Sequence, residues 1–553
     1  MVESYSDLYD NFRWHVPKGF NLASVCCLQW SSLPSHEHRP ALIHHDIDGQ
    51  TRGVTFAELG RLAAQLANGL IRLGVIPGDR VVIVLSSPID ALTALMACWA
   101  VRAVAVPLSP GSNADALLPR VKQARGQVAL IDDRTQSEAL AAIARCPRIK
   151  HTVGIDVYDG RVMNWRGLIA RQPTTFVPIQ PLPSDPALMV WPEHPSPDLA
   201  AQSAMVLAHQ SLIGQLPGFV MATNWFPEKA RQLLTTLKPW DESGLLAAIL
   251  PALYFGHTVV LTDQLPTPDR LPVHVSHVVT HAADVIAALK SDPAVPPITA
   301  PLAGLALLDH TLHRQWRQDI SLAYGVTPNL VTFVNGCGLL ISQSAAKWPD
   351  PETSSGRLVP GHCVRLKGMT DEASEMEVSR TDLAQQTDPA QFTQAWPVKD
   401  ALDLSTELPA WWRTGLFAQV LEDGCWRVLG YDGQWQPFGG NSVSVSALEQ
   451  AVLLAPQIKW VQVAFVPGRK AQGDSLELWA LIDTGPEQET QMKAWRQTLR
   501  MDITNRILDV IGSPTAGFTV RIGLVNQQAI PMADPQSRWP WQSRAYQALI
   551  DFL

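Results

Sequence analysis

Between residues 54 and 132 the chain alternates between stretches that repeat apolar residues every three or four positions and short runs that are apolar throughout. In TFAELGRLAAQLANGLIRLG, Phe56, Leu59, Leu62, Leu66, Leu70 and Leu73 recur at helical spacing, and Gly74 supplies a residue suited to ending such a helix. VIPGDRVVIVLSS then turns at Pro77, Gly78 and Asp79 into an apolar strand from Val81 to Leu85. PIDALTALMACWAVRAVAVPLSP gives a second helix and a strand from Ala103 to Leu108, and ADALLPRVKQARGQVALIDD repeats the order. A strand that is apolar at every position is buried on both faces. Alternation with helices therefore predicts an α/β fold of parallel sheets covered on both sides.

The same alternation resumes in VSHVVTHAADVIAALKSD and LAGLALLDHTLHRQWRQDISLAYG. From about residue 356 the texture changes to short strands broken by Gly, Pro and Asp-Gly, with a hairpin turn at Glu422, Asp423 and Gly424. After Gly430 a helix, two strands and a long helix predict a small α/β unit, so the expected division is 1–430 and 431–553. The Pro-rich stretch 172–186 reads as an ordered connection because strand signals flank it.

Composition narrows the function. A net charge of -8, from 43 Lys and Arg against 51 Asp and Glu, argues against a nucleic-acid partner. The apolar run GLLAAILPALYFGHTVVL contains Pro251, Gly256 and His257, which suits a buried helix and strand better than a membrane span. The opening residues do not form a basic-then-apolar leader, and the seven cysteines, Cys26 and Cys27 adjacent among them, form no CxxC spacing. A reduced, cytoplasmic protein is expected, with the cysteines as small core residues.

One loop has the context of a phosphate site without its chemistry. The apolar run Ala187 to Val190 leads into WPEHPSPDLAAQSAMVLAHQSL, where a glycine-rich phosphate loop would sit between strand and helix. Between Trp191 and His209 there is neither glycine nor lysine. Pro192, Pro195 and Pro197 remove three N–H donors, and Glu193 and Asp198 would repel a polyphosphate.

The order of segments resembles the AMP-forming acyl-CoA synthetases of the adenylate-forming superfamily over nearly the whole chain. The resemblance is carried by YDNFRWHVPKGFNLASVCCLQW, VTFAELGRLAAQLANGLIRLGVIPGDRVVIVL, HQSLIGQLPGF, LPALYFGHTVVL, SSGRLVPGHCVRL and WWRTGLFAQVLEDGCWRVLGYDG. It implies a large N-terminal region of parallel sheets with a small β-rich part, followed by a small C-terminal domain that turns between half-reactions. It also implies chemistry on ATP, Mg²⁺ and coenzyme A.

Set against that family's motifs, the nucleotide-handling positions are changed one after another. The loop at Trp191 replaces S-G-T-T-G-x-P-K. The segment Asn335, Gly336, Cys337, Gly338, Leu339 stands for Y-G-x-T-E, with Leu339 in place of the metal-holding glutamate. Thr414, Gly415 and Leu416 stand for T-G-D, so Leu416 replaces the aspartate that holds the ribose. Tyr431 takes the arginine position of G-R-x-D, and Gly433 the hinge aspartate. Lys493 is the last lysine, and IPMADPQSRWPW offers only Arg538 where the family has its adenylation lysine.

These changes predict no bound cofactor, no metal site and no catalytic residue. The expected function is a binding, scaffolding or regulatory protein, partnered by another protein such as an acyl-processing enzyme. An acyl-CoA synthetase-like ligase with unorthodox residues is the competing reading. KPWDESGLLAAILPALYFG, with Trp240, Ser243 and Gly244, is the candidate acyl pocket, which Trp240, Leu339 and Leu416 are expected to fill in part. His209, His257, His310 and His362 are expected to be structural, and Cys337 a buried filler. The 19 tryptophans, Trp411, Trp412, Trp539 and Trp541 among them, are expected mostly in the core. With Gly433 at the hinge and Trp435, Pro437 and Phe438 after it, the C-terminal part is expected to be fixed.

Overall fold

The computed structural model describes residues 4–192, 204–226, 228, 230–291, 296–367, 373–379, 411–438, 441–466, 475–482, 489–511 and 519–526. Two large sheets carry the fold. One runs Met163–Asn164, His151–Ile155, Val128–Asp132, Arg80–Val84, Val104–Pro107, Pro186–Val190, Met205–Ala208, parallel except at the last pair. The other runs Arg357–Leu358, Gly338–Ser342, Asn329–Val334, Gly304–Leu308, Val275–Thr280, Gln232–Thr235, Thr258–Thr262, Pro40–His45, Thr51–Thr55. Its middle is parallel and its edge pairs are antiparallel.

Strand geometry sorts the apolar residues into three layers. Side chains alternate across a sheet, so Val81, Ile83, Val128 and Leu130 face one core while Val82, Val84, Ala129 and Ile131 face another. In the second sheet Leu233, Val259, Val279 and Val331 join that first core, and Leu234, Val260, Val278 and Leu330 face a third. One central layer is therefore shared by both sheets.

Helices α1 (Phe56–Arg72) and α2 (Pro88–Ala100) belong to that layer. α1 is amphipathic and starts at a capping box, with the Thr55 hydroxyl accepting from the Glu58 N–H and the Glu58 carboxylate accepting from the Thr55 N–H. α2 is apolar on every side, and all of its residues but Asp90 are buried, as a helix enclosed on all sides requires. Its Trp99 indole donates to the Ala187 carbonyl at 2.8 Å, tying α2 to the strand before the proline-rich loop. The run 244–261 forms a wide π-helical turn, Leu245–Ile249, then a short helix, Leu250–Tyr254, and the strand Thr258–Thr262.

Helix α3 (Ser211–Ala222) backs the second sheet's edge, and α4 (Ala282–Ser291) and α5 (Arg314–Tyr324) cover its outer face. A four-stranded antiparallel sheet comes next, containing the hairpin Trp411–Val420 and Trp426–Tyr431. Then come the pair Trp435–Phe438 and Asn441–Ser444, helix α6 (Val445–Leu453), a three-stranded sheet and helix α7 (Glu489–Ile511). Among the described residues no helix is long and apolar enough to cross a membrane. None of the seven cysteines forms a disulfide, and six of them are buried.

Two outcomes are expected from this packing. Leu95 is fully buried in the shared layer, so Leu95→Ala should cost about 2–5 kcal/mol in urea unfolding through the cavity it leaves. Burial also lowers three histidines: His209 to about 3, His277 to about 4 and His362 to about 4. A lowered folded value means that the unfolded chain binds the proton first. These groups contribute stability above pH 6.5 that is lost as pH falls toward 4, and thermal melts across that window should show it.

Candidate functional site

The parallel strands of the second sheet end together, and their carboxyl ends form one wall of a cleft of about 740 Å³. Crevices at this edge are where open α/β sheets take ligands, because the loops there are free to diverge. Thr236, Lys238 and Trp240 come from the segment after Gln232–Thr235, His281 and Asp284 from the strand–helix junction at α4, and Asp309 and His310 from the end of Gly304–Leu308. Asn335 is the residue after Asn329–Val334. The opposite wall is built from Tyr431, Gln434, α6 and Gln462.

The structure brings part of the expected set together. Trp191, Asn335, Tyr431, Trp240 and Ser243 line the cleft. The Trp191 indole donates to Gln123 Oε1 at 2.8 Å, which holds the ring at the mouth of the proline-rich loop. The loop residues 193–203 lie outside the described residues, as do Arg538, Trp539 and Trp541.

Other expected residues sit elsewhere, and their positions correct the idea that they fill the site. Leu339, 1% exposed, lies on the strand Gly338–Ser342 and faces helix α3, where its Cβ would meet a Cβ placed on Gly218 at 2.6 Å. Its N–H donates to Gln215 Oε1 at 2.9 Å. Leu416 is fully buried and packs in the layer shared by the two sheets. Neither lines the cleft. Strand alternation decides this, since both side chains point to the core face of their sheets.

Cys337 is 3% exposed and packs in the same core. The Thr414 hydroxyl is buried, donating to the Met376 carbonyl and accepting from the Leu416 N–H. Gly244 is pressed against the Lys238 carbonyl, where no side chain fits. Gly433 turns at φ +79° with open space around it, between the strands Trp426–Tyr431 and Trp435–Phe438. Of the four histidines, His209 and His362 are buried and His310 lines the cleft. Among the described residues no group of His, Cys, Asp and Glu is arranged to hold a metal ion.

Glu242 is the residue the motifs did not single out. It is 4% exposed at the floor of the cleft, accepting from the Gly336 N–H at 2.9 Å and from Asn335 Nδ2 at 3.1 Å. It thus fixes the Asn335–Gly336 turn from across the sheet. Burial raises its carboxyl to about 7, against the two hydrogen bonds that favour the anion. Its place at the start of the helix that follows a parallel strand was the available signal.

The charge of the cleft is one-sided. Among the described residues, Asp241, Glu242, Asp263, Asp284, Asp309 and Glu449 line it against a single lysine, Lys238. Lys238 already donates to Asp263 at 2.8 Å and to the Thr262 carbonyl. Asp284 accepts from the hydroxyls of Thr236 and Thr280, at 2.6 and 2.8 Å. The lysine is engaged, and acidic side chains outnumber it six to one, Glu242 among them with its ionisation opposed by burial. Among the described lining residues a triphosphate meets several acidic side chains and one lysine that is already engaged.

Comparison with known proteins agrees with the architecture. The sequence profile of the AMP-binding enzyme family matches residues 30–192. The acetyl-coenzyme A synthetase of Chromobacterium violaceum is 30% identical over 199 residues, covering 32% of this chain and 30% of that one. That of Streptomyces avermitilis is 34% identical over 121 residues, covering 22% and 18%. The matched stretches thus span less than a third of these relatives' own length. Among solved structures, the anthranilate CoA ligase AuaEII in complex with anthranoyl-AMP aligns with a TM-score of 0.72 over 92% of this chain and 94% of that one, at 17% identity. Over residues 30–192 the chain is similar in sequence to AMP-binding enzymes, and over most of its length it has the fold of these CoA ligases. The acetoacetyl-CoA synthetase of Streptomyces lividans, TM-score 0.69 at 19% identity over 92% and 80%, shares this fold as well.

The position of Glu242 yields a test. Its raised folded value means that its ionisation opposes folding, so its contribution is complete below pH 4.5 and lost as pH rises through about 7. Glu242→Gln removes that loss. Relative to the parent, the variant's melting temperature should rise between pH 5 and pH 8; an unchanged difference would show that Glu242 does not titrate in this window.

Proposed function

We propose that the chain is a catalytically impaired relative of the AMP-forming acyl-CoA synthetases that uses the superfamily fold for binding or regulation. The observation that carries this reading is the charge of the cleft: six carboxylates and one paired lysine at the strand ends. Leu339 and Leu416 support it. Each stands where the resemblance places an acid, and each is committed to the core. On this reading the chain needs no nucleotide, metal or coenzyme A, and it works alongside an acyl-processing enzyme.

The cleft keeps aromatic walls, from Trp191, Trp240, Phe333 and Tyr431. These suit a small acyl or aromatic group better than a polyanion. The competing reading, a ligase with unorthodox residues, has one specific support. The superfamily fold is retained over 92% of the chain, and the cleft is open rather than filled.

Titration calorimetry with MgATP, paired with a pyrophosphate-exchange assay over a panel of short acids, separates the two. No heat of binding up to millimolar MgATP and no exchange are expected. Micromolar affinity accompanied by exchange would establish the ligase. Thermal shift with the acids alone then asks whether the aromatic half of the cleft binds. A concentration-dependent rise would identify an acyl-binding protein, since only ligand bound to the native state raises the melting point.

A further inference from the structure

Helix α6 takes part in two cores. Its Leu448 and Val452 pack with Leu499, Ile503 and Ile507 of α7. Leu453, at its end, packs both there and against the outer core of the second sheet, where Leu454 joins it. The helix therefore sits at a junction between regions far apart in sequence.

Polar contacts at that junction are numerous and inward. Lys290, in the last turn of α4, donates to the carbonyls of Leu453 and Ala455 at 2.7 and 2.9 Å. The last carbonyls of a helix have no partner within it and carry the negative end of its dipole, so an ammonium there is favoured twice. Trp316 of α5, 6% exposed, donates from Nε1 to the Gln450 carbonyl at 2.9 Å. The Gln450 side chain, 4% exposed, accepts from the His313 N–H at 2.6 Å and donates to the Thr311 carbonyl at 3.0 Å. A glutamine is rarely this buried unless both ends of its amide are used. Here it pairs with backbone groups in the segment leading into α5.

We propose that Lys290, Trp316 and Gln450 form a latch that keeps α6 docked on α4 and α5, and so fixes the cleft wall that carries Glu449 and Gln462. Lifting α6 away would break five hydrogen bonds and expose the Trp316 indole together with Leu453. Each buried group left without a partner opposes that motion. The latch acts on position alone and holds whether or not the cleft processes ATP.

Spin labels report it directly. Leu322 on α5 and Met501 on α7 are 74% and 62% exposed, and Cys363, the one cysteine that is not buried, can be replaced by serine. Pulsed electron–electron resonance on L322C/M501C in a C363S background should give one narrow distance. Adding K290M and Q450L should broaden it or add a longer population, whereas K290R should keep it narrow. A broad distribution with the latch intact, or a narrow one in folded K290M/Q450L, would overturn the proposal. If that pair does not fold by near-UV circular dichroism, W316F, which keeps the ring and loses one donor, and K290M alone decide in the same way.

Discussion

The central apolar layer between the two sheets is the constraint on which everything else rests. Each sheet contributes one face of its strands to it, and helix α2 lies inside with twelve of its thirteen residues buried. A layer enclosed on both sides cannot include an amphipathic element unless its polar groups are paired. The pairs are present: the Trp99 indole on the Ala187 carbonyl, and Asn21 Nδ2 on the carbonyls of Trp99 and Ile179 at 2.8 and 3.0 Å. Their effect is to lock the first sheet, the helix layer and the Pro-rich connection together. None of this depends on what the strand ends carry.

That independence lets the cleft stay open whatever the strands themselves carry. A replacement on a strand goes where the strand's alternation sends it. Leu339 points to α3 and Leu416 into the shared core, so both leucines add to the core and leave the cleft unfilled. The cleft's own character is set by loop residues after the strand ends, where carboxylates find local donors. Asp284 is held by two threonine hydroxyls, and Glu242 by the turn it supports. Such pairing lets several acids share one cavity at tolerable cost, but it leaves the cavity unsuited to another polyanion.

The fold was legible because it is written in local periodicity. Continuous apolar strands alternating with helical repeats required parallel sheets covered on both faces, and the structure has two. Strand edges moved by a residue, as with Arg80–Val84 against an expected Val81 to Leu85. The site was legible only where segment order located it, at Trp191, Asn335, Tyr431 and Trp240. Glu242 escaped because its role is a contact with Gly336, 94 residues away. Gln450 and Lys290 escaped for the same reason, at separations of 139 and 163 residues. No window of sequence contains both halves of such a pair. What a window does contain is the position after a strand in a βα repeat, and Asp263, Asp284 and Asp309 all occupy such positions.

Gly433 and helix α6 pull in opposite directions, and their magnitudes can be weighed. A glycine at φ +79° with nothing near it adds backbone freedom, worth roughly 1 kcal/mol relative to a residue with a side chain. Taken alone, it would loosen the C-terminal part of the chain. Twelve residues later begins a helix joined to α4 and α5 by five hydrogen bonds, each worth about 0.5–1.5 kcal/mol, with the half-buried Leu453 and Leu454 packed against the outer core as well. The pinning outweighs the freedom several-fold. Trp435, between the two, packs its ring against Phe417 of the preceding sheet at 5.3 Å, which shortens the free stretch further. A flexible joint beside a strong anchor gives a turn whose slack is taken up locally. Glycine at this turn is therefore compatible with the fixed wall proposed above, because the proposed latch lies in α6 and the residues that hold it.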